Sequence, residues 1–193
     1  MISGDPVLHT PARSIDEVTD ALRTLVDDMV ETMYAAPGVG LAAPQVGVGL
    51  RLFVWHYDDG EAVSEGHVLN PHLVLAGQPR PSWREEPDEE GCLSIPGARF
   101  PLARFSHARL TGQTLEGEPL DIRATGWLAR IFQHEYDHLQ GILYADRLNR
   151  SDTRECREHV RNHGWGVPGQ SWTPGLDGEE SDFLDPDEES DSD

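Results

Sequence analysis

The stretch Thr125-Gly-Trp-Leu-Ala-Arg-Ile-Phe-Gln-His-Glu-Tyr-Asp-His-Leu-Gln-Gly141 decides how the rest of the chain is read. Thr125 is placed to cap a helix and Gly141 to end one. Between them Trp127, Leu128, Ile131, Phe132 and Leu139 leave almost no polar side, the mark of a helix buried all round. His134, Glu135 and His138 are therefore polar groups carried into a core, which is costly unless they share a partner. Their spacing sets two imidazoles one turn apart on one face. Both can reach a single ion at about 2.0 to 2.1 Å, with the carboxylate beside a water on that ion.

The flanking sequence supplies the scaffold. Ser14 and Glu17 form a capping box, and Val18, Leu22, Leu25, Val26, Met29 and Met33 follow at helical spacing, which predicts a helix over 15 to 35 stopped by Pro37 and Gly38. The run from Gly38 to Gly49 is too rich in glycine and proline for helix and predicts a tight loop with room for strand pairing. Residues 50 to 57, 67 to 76, 108 to 113 and 119 to 123 read as strands between turns. An acidic loop over 84 to 90 leads into the turn Gly91-Cys92-Leu93-Ser94-Ile95-Pro96-Gly97, and a last helix is expected over 152 to 162. This order predicts an α+β fold: small antiparallel sheets around a buried central helix carrying HExxH, with N-terminal and C-terminal helices.

At 193 residues the chain has room for one catalytic domain, placed at 1 to 165. All fifteen cations are arginine, against 35 carboxylates, for a formal charge of -20, which argues against DNA binding. Ten of those carboxylates, from Asp177 to Asp193, fall in the last seventeen residues without a cation, so 166 to 193 is expected to be an acidic disordered tail. Two cysteines in unlike contexts give no disulfide framework, and no basic-then-apolar leader or membrane-length apolar run is present. A cytoplasmic protein fits these features.

A catalytic metal site needs a third protein ligand and one open position. The longer pattern His-Glu-x-x-His-x-x-Gly-x-x-His is met at Gly141 and fails at Tyr144. Glu158, twenty residues after His138, would close the site of a zinc metallopeptidase. Cys92, in a turn flanked by glycine, would instead give a Cys-His-His set. Spacing alone leaves both open.

Three segments, Gly38-Val-Gly-Leu-Ala-Ala-Pro-Gln45, Glu90-Gly-Cys-Leu-Ser94 and Gln133-His-Glu-Tyr-Asp-His138, resemble the three motifs of peptide deformylase in order and separation. The likeness runs from about Asp5 to Leu148. It implies that Cys92, His134 and His138 hold one divalent ion, Fe(II) by family habit with Zn(II) or Ni(II) able to substitute. It also implies that Glu135 is the general base and acid, and that Gln45 and the amide of Leu93 stabilise the oxyanion. The substrate implied is the N-formyl-methionine end of a nascent peptide, whose backbone would pair along Val39, Gly40 and Gly91. Trp127 and Ile131, which stack below the histidines at helical spacing, would wall its methionine pocket. Glu90 and Arg99 match family positions as well, and a structural ion pair accounts for them equally.

Arg147, Arg150, Arg154, Arg157 and Arg161 recur every three or four residues. They read either as a transient ribosome contact or as a solvated face paired with Asp152, Glu155 and Glu158. A non-enzymatic interaction module with a structural metal is the remaining alternative to the two enzymes.

Overall fold

The computed structural model describes residues 1 to 80 and 89 to 174. Most of the expected acidic loop, and the tail from 175 onward, lie outside the described residues. Seven strands are described: β1 (Gly40–Ala42), β2 (Leu52–Asp58), β3 (Val63–Arg80), β4 (Glu89–Cys92), β5 (Ile95–Pro101), β6 (Arg104–Gln113) and β7 (Pro119–Thr125). With them stand the helices α1 (Asp20–Ala35), α2 (Gly126–Leu139) and α3 (Arg150–Asn162). A five-stranded antiparallel sheet has the order β1-β2-β3-β6-β7, and β4 and β5 form a separate antiparallel pair.

Strand β2 shows why the body holds together. Its residues Leu52, Phe53, Val54 and Trp55 are all buried, and the two-residue period sends them alternately to opposite faces. Leu52 and Val54 join the core that Leu22, Val26, Met29 and Met33 of α1 complete from one side. Phe53 and Trp55 join the core under α2, where their rings lie 6.0 and 5.2 Å from that of Phe132. A third core joins β5 to α3 through Ile95, Phe100, Tyr144 and Cys156. At the end of α2, Gly141 adopts φ +73°, and a Cβ there would lie 2.8 Å from the backbone of His9 and Thr10. Only glycine fits both demands.

The helix expected from 15 begins at Asp20 instead, with the Thr19 side chain accepting from the amide of Leu22. Residues before it are claimed by the sheet: Arg13 bridges to Leu50, and Asn70 bonds both backbone groups of Ile15 at 2.8 Å. Long-range partners thus outweigh the Ser14 and Glu17 capping box. Thr125 stands at the N-cap of α2 without a side-chain hydrogen bond, whereas Asn149 caps α3 through two amides and starts it two residues early. The first residues of the segment expected as tail make backbone contacts of their own. Gly166 donates to the carbonyl of Ser3, Ile2 to that of Gln170, and Gly169 to the Asp5 carboxylate, so this segment is stitched to the N-terminal residues.

Candidate metal centre

Cys92 closes β4 at a register shift against β5, while α2 presents His134 and His138 one turn apart. The structure brings the three together: Cys92 Sγ lies 3.4 Å from His138 Nε2, and one donor atom from each residue falls within 4.8 Å of the others. Two ligands of one tetrahedral ion at about 2.0 to 2.3 Å sit about 3.5 Å apart, so the spacing suits a shared cation. Glu135 Oε2 is buried without a hydrogen-bond partner, a cost that a water on such a cation would relieve. Among the described residues this is the one cluster of its kind; Glu158 is exposed on α3 and does not join it. The metallopeptidase alternative is thereby lost.

A buried ion network sets the orientation of His134. Its Nδ1 lies 3.1 Å from Glu90 Oε2, and because a carboxylate only accepts, Nδ1 donates and Nε2 is the nitrogen left available to a cation. Arg104 forks onto Glu90 at 2.8 and 2.9 Å and reaches Asp137 at 2.6 Å. Arg130 adds a bond to Glu90 at 2.8 Å, and Arg147 closes onto Asp137 at 2.5 and 2.6 Å. Burial pushes the Glu90 carboxyl up, but the Arg104 and His134 bonds outweigh it and hold the group well below the usual carboxylate range. Tyr144 stacks on His134 with ring centres 6.0 Å apart and fixes its hydroxyl on the carbonyl of Ala98.

The sequence reading missed Arg104, Arg130 and Asp137, and it assigned Arg147 to a surface stripe. Glu90 pairs with Arg104 and Arg130 rather than with Arg99, which stands opposite Gly91 in the β4–β5 register. No local pattern marks such partners, since they meet only when β4, β6 and α2 pack.

A cleft of about 180 Å³ opens on this centre and gathers the expected residues, Val39, Gly40, Gln45, Gly91, Leu93, Trp127 and Ile131 among them. Gln45 Oε1 accepts from the amide of Ala42 at 2.8 Å, which turns Nε2 toward the centre, 3.7 Å from Cys92 Sγ. Glu135 is buried, and burial pushes its carboxyl up to about 7. It lies so close to β1 that a Cβ on Gly40 would stand 2.5 Å from Glu135 Oε1. β1 is an outer strand of its sheet, and Val39 uses its carbonyl on His56, so alternation turns the N–H and C=O of Gly40 away from β2.

An α+β body of antiparallel sheets and three helices thus carries a thiol and two imidazoles within reach of one another beside a buried carboxylate, the donor set of a candidate metal centre. The comparisons make its class specific. A family model described as Polypeptide deformylase matches residues 1–154. The peptide deformylase of Tropheryma whipplei (strain TW08/27) is 46% identical over 184 residues, covering 90% of this chain and 91% of the relative. That of Mycolicibacterium paratuberculosis is 47% identical over 182 residues, covering 90% and 92%. Among solved structures, the peptide deformylase of Synechococcus elongatus in complex with actinonin matches with a TM-score of 0.74 at 36% identity, over 87% of this chain and 90% of that one. The chain belongs to the polypeptide deformylase family.

Proposed function

We propose that the chain removes the formyl group from the N-terminal methionine of nascent polypeptides, with Cys92, His134 and His138 holding one divalent ion. The convergence of those three donors around a buried, unpartnered Glu135 oxygen carries this reading. Fe(II) is the foremost ion for this set, with Zn(II) and Ni(II) as substitutes. When bound, the ion supplies a Lewis acid that polarises the formyl carbonyl and acidifies water beside it. Glu135 takes a proton from the attacking water and returns it to the amine nitrogen as the C–N bond breaks, giving formate and a free N-terminus. Gln45 Nε2 and the Leu93 amide donate to the carbonyl oxygen as charge develops, where one good donor contributes about 2.7 to 4 kcal/mol. The methionine side chain lies against Trp127 and Ile131, and its backbone adds as a strand along Val39, Gly40 and Gly91. A reaction on emerging chains places the protein in the cytoplasm. A transient ribosome contact would fall to the exposed arginines of α3, without Arg147.

Exchange of one ligand tests the assignment. Cys92→Ser is expected to lose the ion by elemental analysis and, with it, turnover of a formyl-methionyl peptide, whereas Glu158→Ala keeps both. Retention of metal by the serine variant and loss by the alanine variant would reverse the ligand set. A second expectation concerns spacing. Gly40→Ala must push Glu135 aside, and a displacement of about 1 Å is enough to cost roughly 10²-fold in kcat. Metal content should stay at the parent level, which separates a moved base from a damaged centre.

A further inference from the structure

Arg150, Arg154, Arg157 and Arg161 lie along one side of α3, because steps of four, three and four residues return to the same face of a helix. All four are exposed, while Cys156 on the opposite side is buried in the core against β5. Among the described residues none of the four meets a carboxylate at ion-pair distance; Asp152 is engaged by Asn149 at 2.7 Å instead. The result is an open cationic line about 16 Å long. It stands on a chain with 35 carboxylates, ten of which lie between Asp177 and Asp193.

The described part of the chain ends close to the line. Gln170 Nε2 donates to the carbonyl of Gly164, so the polypeptide is held at the C-terminal end of α3 only four residues before the last described position, Pro174. The segment from 175 to 193 can span about 60 Å when extended, several times the length of the stripe. We propose that this acidic segment occupies the arginine stripe of its own molecule and acts as an internal polyanion. Covalent attachment gives the acids an effective concentration of about millimolar order at the stripe, and the acidic remainder of the body repels them from other faces. An external polyanion such as an RNA strand then binds α3 only by displacing the segment.

The test uses the full chain and a full-length variant in which all ten carboxylates from Asp177 to Asp193 become Asn or Gln. Their α3 backbone amides are compared by NMR in about 0.05 M salt, and both are titrated with a single-stranded oligouridylate of about twenty nucleotides. The neutral variant is expected to shift the amides of Arg150–Asn162 and to bind the oligonucleotide about tenfold more tightly, with both differences gone near 0.5 M salt. Arg154→Gln with Arg157→Gln in the otherwise native chain should erase the amide difference while leaving deformylation unchanged. Superposable α3 spectra, or changes confined to another surface, would overturn the proposal. Shifts that grow with protein concentration would overturn it too, by assigning the segment to the stripe of a second copy.

Discussion

Glu135→Gln is expected to lower turnover of formyl-methionyl peptides by about 10² to 10⁴-fold while metal content and fold are kept. The amide preserves the shape of the buried side chain and removes only its capacity to accept and return a proton. With the native residue the acid limb of the rate profile should rise with pH, because only the ionised carboxylate serves as base. Burial, the largest of the influences on it, pushes this carboxyl up to about 7 in the metal-free protein, and a cation on Cys92, His134 and His138 pulls it lower. Stability moves the opposite way. Glu135 holds its proton more tightly in the folded state than in the unfolded chain, so metal-stripped protein should lose stability as pH climbs from the ordinary carboxylate range through about 7. The glutamine variant escapes that loss, and thermal unfolding at mildly alkaline pH should find it no less stable than the parent. A variant that keeps turnover within a few-fold would remove Glu135 from the reaction.

The second large effect falls on stability. Glu90→Gln leaves the buried Arg104 and Arg130 guanidinium groups facing a neutral amide, a change that costs about 3 to 5 kcal/mol when a buried pair is broken. Urea unfolding near neutral pH measures it. Glu90 is held below the usual range in the folded state, so its contribution is present in full above about pH 4.3 and is lost as pH falls toward the folded value. The gap between parent and variant should therefore narrow in acid. Because Glu90 also bonds His134, the variant should release its metal to a chelator about 10 to 100-fold more readily.

What the sequence disclosed followed the range of the interactions. His134, Glu135 and His138 were legible because their relation is set within one helical turn. Cys92 was not selected by spacing, since it reaches the histidines only through the β4–β5 turn; the resemblance named it and the fold brought it within 3.4 Å of His138. Arg104, Asp137 and Arg147 were illegible for the same reason, as ion pairs between elements leave no period in the chain. The strand read as 67 to 76 extends over Val63–Arg80 because backbone pairing with β2 and β6 carries through residues without apolar alternation. Where a local signal and a distant hydrogen bond competed, as at Ser14 and Ile15, the distant bond prevailed.

Gly40 offers the cleft its own N–H and C=O, and a main-chain group is shared by all twenty residue types. A strand-like inhibitor anchored there would keep its hydrogen bonds through any substitution that leaves the chain folded. The one residue small enough to admit Glu135 at that point is glycine, so even the side chain has no tolerated replacement. Escape by point mutation would have to arise at the rim, where it alters fit without reaching the anchor.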